Sequence, residues 1–151
     1  MDIESLLRLL RENAVEFVVI GAAAFPVHGY SRATLDLDVF IRPDRENARR
    51  TLNGLREFGY DVTDLTVDEL LTKKVLIRQY IVETDIHPFV TGTTFERVWA
   101  NKVEGTYGEI PVFFASLDDL IEMKKAAGRP KDLEDLKYLL ELRERRERSG
   151  S

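Results

Sequence analysis

The chain has 151 residues, 44 % of them hydrophobic and 32 % charged, which excludes collagen-like, low-complexity and wholly disordered classes. Its 22 Lys and Arg against 27 Asp and Glu leave a net charge of -5, so the surface as a whole is no general polyanion binder, although a local basic groove stays allowed. The absence of cysteine removes disulfides, iron–sulfur clusters, thiolate zinc sites and a Cys nucleophile, and the longest apolar stretch, Phe17 to Val27, is too short to span a bilayer.

A cytoplasmic protein is therefore expected, large enough to bury about 68–70 % of its unfolded surface in one domain. Asp2 is suited to cap a first helix in which Ile3, Leu6, Leu7 and Leu10 recur at helical spacing up to Asn13. Val15 to Ile20 is rich in β-branched and aromatic residues, unbroken by polar ones after Glu16 and closed by Gly21, the pattern of a central buried strand. Ala22, Ala23 and Ala24 open a short helix that tolerates Pro26 in its first turns and stops at Gly29. Leu35 to Ile41 reads as a second strand. Asp44 then starts a helix whose buried stripe is Ala48, Leu52, Leu55 and Phe58, ending at Gly59.

The stretch Asp61 to Thr72 is weaker, a loop with a short helix. Val75 to Val82 and Asp85 to Phe89 read as strands broken near Glu83 and Thr84, Phe95 to Lys102 as a short helix, and Ile110 to Ala115 as the last strand. Ser116, with Asp119 three residues on, has the form of a capping box for a helix to Ala127. Gly128 stops that helix, and Pro130 suits the first turn of a final one carrying Leu133, Leu136, Leu139, Leu140 and Leu142. The alternating Glu and Arg from Glu141 to Arg148 read as a solvated helix face, and Ser149 to Ser151 as a fraying end. The expectation is an α+β, α/β-like fold: a mixed sheet flanked by helices, a core at about 15–115 and a C-terminal helical pair at about 116–148.

Chemistry concentrates between Gly21 and Asp38. Residues two apart in a strand share a face, so Asp36 and Asp38 project together, their Cα atoms roughly 6–7 Å apart. Two like carboxylates on one face repel unless a cation lies between them, and hard oxygen donors suit Mg²⁺ or Mn²⁺ carrying phosphate oxygens. Gly21 and the backbone N–H groups of Ala22 to Ala24 offer the donors that a phosphate needs. The chain lacks GxxxxGK[ST], GxGxxG and GxSxG, which removes P-loop, dinucleotide-binding and hydrolase-elbow readings. His28 and His87 are the two histidines, without H-x-x-x-H spacing; His28 reads as a packed or capping residue.

Ile20, Gly21 and Ala22, then 13 residues, then Asp36-Leu37-Asp38, resemble the signature of the nucleotidyltransferase superfamily that includes DNA polymerase β. The match of Gly29, Arg32, Thr34, Asp36, Leu37 and Asp38 to G-x-x-R-x-T-x-D-L-D is similar to the bacterial AbiEii-type toxin–antitoxin branch. Met123 to Leu139 resembles that branch's C-terminal helical motif. Ala22 departs from the usual Gly or Ser, losing a hydroxyl donor or a closer backbone approach.

The resemblance implies a minimal polymerase-β-type fold and transfer of a nucleoside monophosphate from an NTP to an acceptor hydroxyl on a protein, a tRNA end or a small molecule. It implies Mg²⁺ or Mn²⁺ held by Asp36 and Asp38, with Asp85 the third acid and Glu83 its rival on the same face, although Glu83, Asp85 and His87 also suit a plain exposed strand face. It also implies nucleotide binding by Gly21, Ala22, Arg32, Lys124 and Lys131, although Arg32 also suits a surface ion pair and Lys124 and Lys131 also suit solvated helix ends. The alternative is a catalytically weak relative acting as a nucleotide-binding or protein-partner module.

Overall fold

Ile3, Leu6, Leu7 and Leu10 stack on one side of a ten-residue helix, α1 (Ile3–Glu12), and are buried. Each such leucine contributes about 1.5–3 kcal/mol by leaving water. The Asp2 side chain accepts from the Ser5 N–H at 2.8 Å, closing the N-terminus as expected. The computed structural model describes residues 2–150, so Ser151 of the expected frayed end lies outside them. Ser149 and Gly150 continue helical hydrogen bonding, to the Arg145 and Glu147 carbonyls.

Ala14 takes a positive φ of 58° and Val15 N–H bonds back to Leu10 O, so the first strand, β1, starts at Phe17 and runs to Ile20. The expected Ala22 helix is instead two 3₁₀ turns, Gly21–Ala24 and Pro26–His28, ended by left-handed Gly29. Pro26 has no N–H to continue a helical ladder, which is why the segment splits there. Next come β2 (Asp36–Ile41), α2 (Arg45–Phe58) and α3 (Val67–Thr72). Leu35, expected on the buried face of β2, lies just before the strand and is exposed. Asn47 anchors α2: its side chain accepts from Glu16 N–H and donates to the Glu16 and Arg42 carbonyls.

The apolar run from Val75 does not continue to Val82. β3 is Val75–Ile77 and β4 is Glu83–His87, so the break falls at residues 78–82 and Glu83 and Thr84 belong to the strand. Side-chain bonds hold that connection elsewhere: Gln79 bonds both the N–H and C=O of Asp61, and Tyr80 donates to Gly59 O at 2.8 Å and stacks on Tyr60. α4 (Phe95–Ala100) covers part of β2 through an edge-to-face contact of Phe95 with Phe40. An unexpected strand, β5 (Val103–Tyr107), then pairs antiparallel with β6 (Ile110–Phe114) across a turn at Gly108 and Glu109.

Ser116 caps α5 (Leu117–Ala127), but the box is not reciprocal, because Asp119 turns inward to Asn101 and Arg97. Left-handed Gly128 ends α5, and a 3₁₀ turn at Pro130–Asp132 leads into α6 (Leu133–Arg148). On α6, Leu139 is buried while Leu133 is 60 % exposed. The charged tail is not purely solvated either: Arg143 pairs with Asp118 and Arg146 meets the His28 ring.

The strands form one mixed sheet in the order β3-β4-β2-β1-β6-β5. β1 and β2 are antiparallel, while β2 with β4 and β1 with β6 are parallel. The α+β fold class read from the sequence holds.

Candidate active site

Alternation along β2 turns Leu37, Val39 and Ile41 into the core and brings Asp36 and Asp38 to the other face, with Phe40 buried beside them. The parallel register sets Asp38 opposite Asp85 and Asp36 opposite Glu83. With the flanking pairings, Leu76, Asp85, Asp38 and Ile20 form a row across β3, β4, β2 and β1. Asp85 rather than Glu83 is thus the neighbour of Asp38. Asp36 is exposed, whereas the Asp38 and Asp85 side chains are mostly covered.

Gly21 closes the row. Its φ is +69°, and a Cβ there would lie 2.8 Å from Asp38 Oδ2. A left-handed turn pressed against a carboxylate accepts glycine and little else. The sheet thereby ends in a narrow backbone shelf with Asp38 at its edge.

His87, two residues beyond Asp85 on the same face, brings Nε2 within 2.8 Å of Asp38 Oδ1. One donor atom each from Asp38, Asp85 and His87 lies within 4.8 Å of the others, a grouping able to hold a metal ion. No spacing motif flagged His87; the available signal was its i+2 relation to Asp85. The residues flanking β3 contribute compensating cations: Arg78 Nη1 lies 2.7 Å from Asp85 Oδ1 and Lys74 Nζ 3.7 Å from Asp85 Oδ2.

The opposite wall is basic and is built around two buried carboxylates. Asp132 receives Lys124 Nζ at 3.0 Å and Arg129 Nε at 2.7 Å. Burial pushes its pKa up, but those hydrogen bonds win and hold it at about 2. Asp135 pairs with Arg32 and accepts from Tyr30 OH at 3.1 Å, with Lys124 Nζ 3.5 Å away. Tyr30 is itself sandwiched between Phe25 and Tyr138, and burial with the Asp135 contact raises its phenol pKa. Arg32, expected as a surface or phosphate-facing residue, is therefore held from α6. Asp135 was not readable as a functional residue, because its partners lie about a hundred positions away in sequence. Lys131 is exposed and in no ion pair among the described residues.

All eight residues singled out in the sequence, Gly21, Ala22, Arg32, Asp36, Asp38, Asp85, Lys124 and Lys131, line one open cleft of about 770 Å³. It has an acidic floor on β2 and β4, the Gly21 shelf beside it, and a basic wall from α5, the Pro130 turn and Arg32. Leu76 and Phe89 reach the same cleft and are 54 % and 58 % exposed. Such a polarity suits a polyanion at the basic wall whose far end meets a cation on the acidic floor.

The family described as "nucleotidyltransferase of unknown function (DUF6036)" matches residues 1–140. Among solved structures, the lincomycin-bound lincosamide antibiotic adenylyltransferase LnuA is similar in fold, with a TM-score of 0.61 over 91 % of this chain and 93 % of that one at 16 % identity. No curated protein matches the chain in sequence. Among the described residues, no helix is long and apolar enough to cross a membrane.

Proposed function

The chain belongs to this family of nucleotidyltransferases, and we propose that it transfers a nucleoside monophosphate from an NTP to an acceptor hydroxyl, releasing pyrophosphate. The observation that carries the reading is the row from Gly21 through Asp38 to Asp85: a shelf that a side chain would fill, with two carboxylates in register beside it. On this reading Gly21 and Ala22 take the triphosphate by their backbone, and Arg32, Lys124 and Lys131 neutralise it from the basic wall. Asp132 and Asp135 keep Lys124, Arg129 and Arg32 in place before the nucleotide arrives. The Asp38–Asp85 pair, with Asp36 alongside, fits Mg²⁺ or Mn²⁺, which when bound supplies charge neutralisation of the triphosphate and acidifies the acceptor hydroxyl.

In-line displacement sends pyrophosphate out on one side and admits the acceptor from the other. With the triphosphate on the Gly21 side, the acceptor approaches from β3, over Leu76, and Asp85 on that side takes its proton. Exposed Leu76 and Phe89 favour an acceptor with an apolar face, such as a hydroxylated small molecule or a protein side chain, over a tRNA end. The G-x-x-R-x-T-x-D-L-D match supports kinship with the AbiEii-type branch and a toxin–antitoxin setting.

The test is incubation with each α-labelled NTP, Mg²⁺ or Mn²⁺ and candidate protein, tRNA and small-molecule hydroxyls. Label should move to one acceptor class, and Asp38→Asn should abolish transfer while leaving the protein folded. Ala22 favours a second reading, a catalytically weak nucleotide-binding or partner module. That reading expects NTP to raise the melting temperature without transfer and with no effect of Asp36→Asn.

A further inference from the structure

The acidic floor is not made of oxygen donors alone. β4 carries His87 on the same face as Asp85, and its ring reaches back across the strand pair to Asp38. Around an ion with ligands at about 2.1 Å, adjacent donors in an octahedron sit about 3 Å apart and opposite ones about 4.2 Å. The 2.8 Å between His87 Nε2 and Asp38 Oδ1, and the 4.8 Å limit on the whole Asp38–Asp85–His87 group, are close to those spacings. Asp36 is outside the group, exposed at the start of β2. The His87 side chain is 13 % exposed and Asp38 26 %, so the trio opens to the cleft with part of a coordination sphere left for other ligands.

We infer that the first divalent ion at this site is held by Asp38, Asp85 and His87 Nε2, and that this mixed set selects Mn²⁺ over Mg²⁺ in the absence of nucleotide. The inference rests on the transferase reading for the site's purpose, but its chemistry concerns the donors alone. Mg²⁺ demands oxygen ligands in near-ideal octahedral geometry and gives up water reluctantly. An imidazole donor suits first-row transition ions, among which Mn²⁺ best tolerates two carboxylates and several waters in the same sphere. Asp36 is then left for an ion that arrives with the triphosphate. The site thus has two unlike halves: one nitrogen-bearing and belonging to the protein, the other all oxygen and completed by substrate.

The experiment uses the full chain without nucleotide. Mn²⁺ is titrated in and followed by electron paramagnetic resonance, and the bound ion is examined by electron spin-echo envelope modulation. The expected result is one Mn²⁺ per chain showing a directly coordinated ¹⁴N, replaced by a ¹⁵N signature when the protein is made with [¹⁵N]histidine. A hundredfold excess of Mg²⁺ should leave that ion in place. His87→Gln should lower Mn²⁺ affinity by at least about tenfold and erase the nitrogen signal. Bound Mn²⁺ without nitrogen coupling overturns the proposal and reduces His87 to a group that orients Asp38; so does ready displacement by Mg²⁺. Both readouts on the unaltered chain hold whether or not the variant folds. Nitrogen-coupled Mn²⁺ without nucleotidyl transfer would leave this inference standing and sink the transferase reading, and transfer without nitrogen coupling would do the reverse.

Discussion

At Gly21 one hydrogen atom decides the shape of the cleft. Gly21→Ala must place a methyl 2.8 Å from Asp38 Oδ2 in a backbone region that disfavours a Cβ. Thermal or urea unfolding should show a loss of about 1–3 kcal/mol, and Mn²⁺ should no longer raise the melting temperature as Asp38 is pushed aside. Asp132 makes a second residue-scale test. Its folded pKa of about 2 lies below the 3.8 of an ordinary aspartate, so its share of stability is present at neutral pH and is lost as pH falls from about 5 toward 2. In Asp132→Asn that stretch of the stability–pH curve should flatten by about 2 kcal/mol, measured by urea unfolding at a series of pH values. Single residues were unevenly legible. Asp36 and Asp38 announced themselves by strand alternation and Gly21 by its place after an apolar run, but His87 and Asp135 take their meaning from partners 49 and about a hundred positions away.

Among the elements, α6 is held to the body by a contact that depends on protonation. His28 Nε2 donates to Ala115 O at 2.8 Å, and Nδ1 faces Arg146 at 3.1 Å, an arrangement for a neutral ring. Burial lowers the His28 pKa, with the Arg146 charge adding to it against the Ala115 hydrogen bond. The unfolded chain therefore takes up its proton first, and stability falls as pH drops below about 6.5. The melting temperature should fall between pH 7 and pH 5.5 in the wild type, and His28→Gln should blunt that decline; equal slopes would remove His28 from this role. Elements with explicit ends were readable: Asp2, Asp44 and Ser116 cap their helices, and Gly59 and Gly128 end theirs. β5 was not, because Glu104 and Gly105 interrupt its β-forming residues Val103, Thr106 and Tyr107, and its pairing comes from the more apolar partner β6. The same holds for residues 78–82, whose apolar content suggested strand while Gln79 and Tyr80 were bound to the Gly59–Asp61 turn.

Across the whole molecule, a net charge of -5 coexists with a cleft whose walls differ in sign. Nucleotide binding should consequently weaken with salt while the fold does not, as a titration followed by thermal shift would register. Lys131 gives the cleanest local version, being exposed and without an ion pair among the described residues. Lys131→Ala should leave the melting temperature of the free protein unchanged and lower NTP affinity about fivefold, the effect of a contact of ~1 kcal/mol. The sheet's strand order was beyond reach from sequence, since parallel pairing of β2 with β4 skips the intervening hairpin partner β3. That same skip has a kinetic consequence. Asp38 and His87 face each other across 49 residues of chain, a loop that must close before either can share a ligand. Pairings of such separation form slowly compared with helices and hairpins. During refolding, affinity for Mn²⁺ should therefore return with the late closure of the β2–β4 pair and lag the recovery of helical signal, making the ion a clock for the last act of assembly.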